Sequence, residues 1–309
     1  MAITAAMVKE LREMTGAGMM DCKKALNETN GDMDAAVDFL RKNGQAKAEK
    51  KAGRIAAEGL CRVVVDGNTA AVVEVNSETD FVAKNEEFQN FVEAVANQAL
   101  KSNAADMDAF LAESWNVDAG KTVKEALTEK VAVIGENLTI RRFEKVTAEN
   151  GCVVSYTHGG GRIGVIVEAD TAVVNEDVKD ALVNIAMQIA ALNPKYISQA
   201  DVSEEYKEHE KAILLDQAKN DPKNAGKPDN IIEKMILGRL NKELKEVCLL
   251  EQEYVKAENK ETVAKYLEAV SKAAGAEVTV KKFVRFETGE GIEKKEENFA
   301  EEVAKQMNV

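Results

Sequence analysis

An internal repeat constrains the fold of this chain more than any other feature of its sequence. The segment FVEAVANQAL at 91–100 corresponds to LVNIAMQIAA at 182–191, and LTIRRF at 138–143 corresponds to VTVKKF at 278–283. Repetition at this scale indicates that one structural unit is built twice. The fold is therefore expected to contain two related units.

The first unit reads as two short strands, helices and a closing strand. Apolar runs at 62–65 and 71–75 flank Asp66-Gly67-Asn68, and Asp-Gly between apolar runs predicts a β-hairpin. Helical patterns follow at 88–100 and at about 123–134, and a strand is predicted at 137–143. This order predicts an α+β fold class, with a small antiparallel sheet covered on one face by helices.

The second unit repeats this order. Its hairpin strands are predicted at 152–156 and 163–167, its helices at 178–192 and 263–274, and its closing strand at 278–283.

The second unit also carries an insertion. Long, charged helical patterns at 203–219 and 230–245 are separated by a breaker-rich segment at 220–228. This pattern predicts a protruding helical hairpin, which packs on another chain or on its own body. A last helix is predicted at 298–307.

The N-terminal region predicts a separate helical unit. Residues 1–44 contain three short amphipathic segments, with Thr4 and Asp32 placed to cap the first and third helices. The third helix is predicted to end at Asn43-Gly44. Residues 45–59 form a basic, Ala-rich connector, interpreted as a solvated helical spacer rather than a nucleic-acid patch.

Composition narrows the class of protein. A chain of 309 residues predicts two or three domains. The net charge of −13 argues against direct nucleic-acid binding, since phosphate-binding surfaces are usually basic. No segment approaches the roughly 20 apolar residues that span a bilayer, and the N-terminus lacks a signal-peptide pattern. Four widely spaced cysteines predict reduced thiols in a cytoplasmic protein.

The sequence offers little covalent chemistry. The glycines at 159–164 satisfy G-x-G-x-x-G, but they lie between two strands and open no helix, so the phosphate-binding argument fails. His158 and the glycines after it resemble an esterase oxyanion loop, but the chain contains no G-x-S-x-G. The only other histidine is His209, which makes a His/Cys metal cluster improbable. No catalytic residue, metal or cofactor is predicted.

The segment NSETDFVAK at 76–84 joins a strand-like run to a helical pattern. Phe81 lies at this joint, where turn chemistry is expected. The local pattern alone favours a core residue that closes the strand.

Five segments resemble the bacterial translation elongation factor Ts family. They are LREMTGAGMMDCKKAL at 11–26, EVNSETDFVAK at 74–84, HGGGRIGV at 158–165, GKP at 226–228 and GEGIE at 289–293. They occur in order over nearly the whole chain, and the two longest are highly specific. The chain departs from the family at Glu253-Tyr254, where relatives commonly have Pro-Phe.

The resemblance implies a function and a domain plan. Members bind the GTPase elongation factor Tu and accelerate GDP release so that GTP can load; they catalyse no covalent chemistry. The implied plan is a UBA-like domain with its connector (1–55), a first core subdomain (56–148), a second core subdomain (149–286) with a hairpin dimerisation insertion at about 200–245, and a C-terminal module (287–309).

The resemblance also implies which residues meet the partner. In the family a TDFV segment presses on the switch region of Tu, and its aromatic disturbs the Mg²⁺ site there. The residues matched to that segment are Thr79, Asp80, Phe81 and Val82. The other implied contacts are Arg12, Met19, Met20, His158, Gly159 and Ile292.

Alternatives remain open at this point. The chain is alternatively a non-catalytic adaptor that binds helical ligands through its UBA-like unit, or a hydrolase that uses the His158 loop. Met19 and Met20 are alternatively part of a small helical core. The predicted helical hairpin does not decide whether the complex with Tu is 2:2 or 1:1.

Overall fold

A computed structural model describes residues 3–221, 224 and 227–293. The predicted helix at 298–307 lies outside the described residues, as does Gly226 of the GKP segment at 226–228. The helices are α1 (Ala5–Thr15), α2 (Met19–Glu28), α3 (Met33–Lys51), α4 (Asp80–Ala83), α5 (Glu86–Lys101), α6 (Met107–Ala112), α7 (Val123–Ile134), α8 (Glu176–Leu192), α9 (Glu204–Asn220), α10 (Asp229–Val247) and α11 (Val263–Ala274). The strands are β1 (Glu58–Asp66), β2 (Thr69–Ser77), β3 (Thr139–Thr147), β4 (Cys152–His158), β5 (Ile163–Thr171) and β6 (Val278–Glu287).

The N-terminal unit consists of α1, α2 and α3 around a small apolar core. Both predicted caps are confirmed: the Thr4 side chain accepts from the Met7 N–H and the Asp32 side chain from the Ala35 N–H. The predicted end of the third helix at Asn43-Gly44 is wrong, because α3 continues to Lys51. Gly44 is buried against α7, where an added Cβ would lie 3.3 Å from Cβ of Ala132. This close packing on α7 outweighs the low helix propensity of glycine.

The first sheet has the strand order β1–β2–β3, and all its pairs are antiparallel. The predicted hairpin closes at the Asp66–Thr69 pair. Helices α5, α6 and α7 cover one face, with Phe88, Phe91 and Phe110 buried beneath them.

The second sheet repeats the first in the order β4–β5–β6. Helices α8 and α11 cover its outer face. The repeat extends to an irregularity in register: it falls at Glu74/Val75 in the first sheet and at Glu168/Ala169 in the second. The two sheets thus share the strand order that the internal repeat predicted, and also the position of a bulge, which was not predicted.

The two sheets pack face to face, which the sequence analysis did not predict. Side chains from both sheets form one apolar cluster, which includes Val72, Val153 and Ile166. Helices cover one face of each sheet, as expected, and the partner sheet covers the other. Gly164 permits the close approach: a Cβ there would lie 3.0 Å from Val63 and 3.1 Å from Val72.

The inserted helices α9 and α10 form the predicted helical hairpin. Their contact buries Leu214, Ala218, Ile236 and Leu240. Tyr254 is buried beside α11 and stacks on Tyr266 at 4.3 Å between ring centroids. Among the helices that the structure describes, none has the length and apolar character needed to cross a membrane.

Candidate partner-binding site

The TDFV segment leaves the end of β2 as a single helical turn. Thr79 is the N-cap of α4, and its Oγ1 accepts a hydrogen bond from the Val82 N–H at 3.4 Å. Val82 packs against the core of the first sheet and Ala83 is buried, whereas Phe81 is 81% exposed. The expectation from the local pattern, a core Phe81, is therefore wrong. A helical turn rotates about 100° per residue, so burial of Val82 and Ala83 directs Phe81 to solvent.

A carboxylate from a distant segment holds the start of this turn. Glu136, which follows the C-terminus of α7, accepts hydrogen bonds from the N–H groups of Glu78 and Thr79, both at 3.0 Å. It also accepts from Thr79 Oγ1 at 2.7 Å. Sequence reasoning missed Glu136, which lies 57 residues after Thr79.

The connector from the N-terminal unit reaches the same place. The Glu78 carboxylate accepts from the Asn137 N–H at 2.6 Å and lies 3.4 Å from Nη1 of Arg54. The Arg54 carbonyl accepts from Asn137 Nδ2 at 2.7 Å. Lys51 Nζ donates to the Gly135 carbonyl. These bonds tie the end of α3, the α7–β3 junction and the TDFV segment together.

Asp80 lies on the solvent side of the turn and is exposed. Its carboxylate forms an ion pair with Lys84 at 2.6 Å. The hydrogen bond from Lys84, together with its positive charge, holds the pKa of Asp80 below its ordinary value. Asp80 is thus an anion beside Phe81 at neutral pH.

The two methionines of the N-terminal unit are exposed. Met19 is 59% and Met20 is 73% exposed, and Arg12 is also at the surface. Their exposure contradicts the alternative that these methionines belong to the small helical core. The loop before them approaches α7, since a Cβ on Gly16 would lie 3.7 Å from Cγ2 of Val133. The end of α7 therefore adjoins both this loop and the TDFV segment.

The His158 loop connects β4 to β5, and His158 and Gly159 are exposed in it. Nδ1 of His158 lies 2.9 Å from the Tyr156 hydroxyl. The loop is anchored to the first sheet by Gly161, whose carbonyl accepts from the Cys61 N–H at 2.7 Å.

The segment that contains Ile292 adjoins the His158 loop. The Thr288 N–H donates to the Arg162 carbonyl at 2.9 Å, and the Ile292 N–H donates to the Gly289 carbonyl at 3.0 Å. Ile292 itself is half-buried. The Gly289 N–H donates to Glu74 of β2 at 2.8 Å.

These anchors place the candidate residues at one end of the paired sheets. Cys61, which holds the His158 loop, and Glu74, which holds Gly289, are register partners near the start of β1 and the end of β2. The TDFV segment leaves the same end of β2. The TDFV segment, the His158 loop and the segment that contains Ile292 thus lie near one end of the paired sheets.

A buried ionic cluster fixes part of this end. Glu74 is fully buried, and its carboxylate accepts from Arg141 Nη1 at 3.0 Å and from Arg142 Nε at 2.6 Å. Burial alone would raise the pKa of Glu74, but the hydrogen bonds from Gly289, Asn76 and Arg141, with the charge of Arg142, hold that pKa below its ordinary value. The cluster joins β2, β3 and the segment after β6.

Reactive groups are scarce at this end. In the ranges that the structure covers, no three His, Cys, Asp or Glu side chains are grouped so that they could hold a metal ion. The four cysteines are free and buried. Burial is the main cause that raises the pKa of the Cys61 thiol, to about 11.

Comparison with known proteins gives a consistent result. The family described as "Elongation factor TS" matches residues 78–290. Proteins named elongation factor Ts from Clostridium perfringens (strain 13 / Type A) and Clostridioides difficile (strain 630) are 55% and 56% identical, with 98% and 99% of each chain covered. The protein of the same name from Clostridium tetani (strain Massachusetts / E88) is 51% identical, with 99% of each chain covered.

Proposed function

This chain belongs to the elongation factor Ts family, and on that premise we propose that it is a guanine-nucleotide exchange factor for elongation factor Tu. It binds Tu·GDP in the cytoplasm, displaces Mg²⁺ from the GTPase, promotes GDP release and remains bound until GTP loads. Its role is to change the affinity of a partner, and it performs no covalent chemistry of its own.

The observation that carries this proposal is the exposed aromatic on a firmly held turn. Phe81 is 81% exposed, and the turn beneath it is held by three hydrogen bonds to Glu136. Aromatic side chains are enriched at protein–protein interfaces, so an exposed phenylalanine supports a role in contact with a partner. A turn that is ordered before binding loses little conformational entropy when it docks.

The proposed action of Phe81 is on the metal site of the partner. Mg²⁺ requires near-ideal octahedral geometry at short ligand distances, so a small displacement of its ligands weakens its binding. Insertion of the Phe81 ring beside those ligands, with Thr79, Asp80 and Val82 around it, would displace them. Loss of the metal then lowers the affinity for GDP.

We infer that Phe81 shares this action with other contact residues. A change in affinity of about 10⁴-fold requires about 5.5 kcal/mol of differential binding, whereas burial of one phenylalanine supplies roughly 1.5–3 kcal/mol. The remainder is assigned to the other contact residues that the family resemblance implies. These are Arg12, Met19, Met20, His158, Gly159 and Ile292.

The helical hairpin of α9 and α10 has a separate proposed role as a dimerisation element. Its inner face is filled by the contact between the two helices, while Ile213, Ile231 and Leu237 are exposed on the outside. Exposed aliphatic side chains on two helices support contact with a second copy of the chain.

Stopped-flow fluorescence tests the exchange function. Tu loaded with a fluorescent GDP analogue is mixed with excess unlabelled GDP, with and without the wild-type chain. We expect the release rate to rise with the concentration of the chain and then to saturate. An adaptor would bind Tu without changing the release rate, and that result would refute the exchange function.

A further inference from the structure

Two glutamates exchange main-chain hydrogen bonds between the end of β2 and the α7–β3 junction. Glu136 accepts from the N–H groups of Glu78 and Thr79 at 3.0 Å. In return, the Glu78 carboxylate accepts from the Asn137 N–H at 2.6 Å. Each carboxylate thus binds the backbone of the segment that carries the other. Hydrogen bonds to a charged acceptor are about twice as strong as neutral ones.

Glu136 also controls the cap of α4. The Thr79 hydroxyl donates its single hydrogen to Glu136 at 2.7 Å and accepts from the Val82 N–H at 3.4 Å. The orientation of this hydroxyl therefore links Glu136 to the first turn of α4. Since Phe81 is 81% exposed, its own packing does little to fix its direction, which is set by the backbone of this turn.

The same junction is bound to the N-terminal unit. Arg54 pairs with Glu78 at 3.4 Å and accepts from Asn137 Nδ2 at 2.7 Å through its carbonyl. Lys51, the last residue of α3, donates to the Gly135 carbonyl. The three-helix unit and the TDFV turn are therefore fixed to one short segment, residues 135–137.

We propose that Glu136 is a positioning residue for nucleotide exchange. Its proposed action is indirect: it fixes the direction of α4 and hence the position of Phe81. This inference rests on the proposed exchange function. Its specific consequence is that Glu136 contributes to exchange mainly through the position of Phe81.

A double-mutant cycle tests that consequence. The GDP release rate at saturating chain concentration is measured for wild type, Glu136→Ala, Phe81→Ala and the double variant. We expect Glu136→Ala to lower the maximal rate about tenfold in the wild-type background, the equivalent of one charge-assisted hydrogen bond. In the Phe81→Ala background we expect a change of less than about twofold, because the positioned group is absent.

Two further variants separate positioning from general destabilisation. Glu136→Gln keeps the volume and one acceptor oxygen, and we expect it to restore part of the maximal rate. Glu144→Ala removes an exposed carboxylate that pairs with Lys282 at 2.7 Å, and we expect it to leave the maximal rate unchanged. Thermal unfolding of each variant reports whether it is folded at the assay temperature.

The outcomes distinguish this inference from the function on which it rests. An equal loss of rate from Glu136→Ala in both backgrounds would mean a general structural role and would overturn the inference. An unchanged rate in the wild-type background would overturn it as well. If the wild-type chain does not accelerate GDP release, the exchange function itself fails.

Discussion

Replacing Phe81 with alanine separates the contribution of the aromatic tip from that of the turn that carries it. The hydrogen bonds from Glu78 and Thr79 to Glu136 do not involve the Phe81 side chain. Because that side chain is 81% exposed, its removal should change the free energy of unfolding by less than about 0.5 kcal/mol. Burial of the ring against the partner should supply roughly 1.5–3 kcal/mol. The expected loss in GDP release is therefore about 10- to 150-fold.

The assay is stopped-flow release of a fluorescent GDP analogue from Tu over a range of chain concentrations. Val65→Ala is a matched control, because Val65 is also exposed but lies beside the β1–β2 turn at the opposite end of the sheet. We expect the control to match wild type in rate and stability. A fully active Phe81→Ala would refute the role assigned to the ring while leaving the exchange function in place.

Three other predictions concern the buried anchors of the site. The pKa of Glu74 is lowered in the folded state, so its stabilising contribution is present above its ordinary pKa and is lost as the pH falls through the lowered value. Thermal melts should show Glu74→Gln less stable than wild type at pH 7, with the gap closing on acidification; a gap independent of pH would contradict this. Gly289→Ala should destabilise the fold by about 1–3 kcal/mol, because φ is +73° and a Cβ would lie 2.1 Å from the Ala57 carbonyl oxygen; an unchanged melting temperature would count against that contact. Cys61, with a pKa of about 11, should react with a maleimide only on unfolding, and rapid labelling of the native chain would show that the sheet interface opens.

Local sequence signals account for most of the individual elements. The Asp66-Gly67-Asn68 turn predicted the first hairpin, and the helix over 123–134 was predicted with the bounds that the structure gives α7. The two corresponding segments in each unit predicted the duplicated strand order. The bounds of the helices and strands do not by themselves divide the chain into domains. The domain boundaries inferred from the family therefore stay predictions.

Tertiary contacts account for what the sequence analysis missed. Helix α3 continues past Gly44 because that glycine packs on Ala132 of α7, a contact invisible to local helix propensity. The packing of one sheet on the other had a signal in β2, which is apolar at successive positions from Ala70 to Val73 rather than alternating. Such a run is typical of strands that are buried on both faces.

The candidate site was predicted only in part from the residues themselves. The local pattern favoured a buried Phe81, and only the resemblance to a family directed it outward. Glu136 carried no signal, since a single glutamate after a predicted helix is usually solvated. Its role depends on an approach between segments 57 residues apart, which neither spacing nor composition encodes.

The central claim is that this chain weakens GDP binding because it binds nucleotide-free Tu more tightly than it binds Tu·GDP. Thermodynamic linkage requires the two effects to be equal. If the chain lowers the affinity of Tu for GDP by some factor, GDP must lower the affinity of Tu for the chain by the same factor. Isothermal titration of the chain into nucleotide-free Tu and into Mg²⁺-bound Tu·GDP measures that factor. We predict at least about 100-fold tighter binding to nucleotide-free Tu. Equal affinity for the two forms would contradict the account.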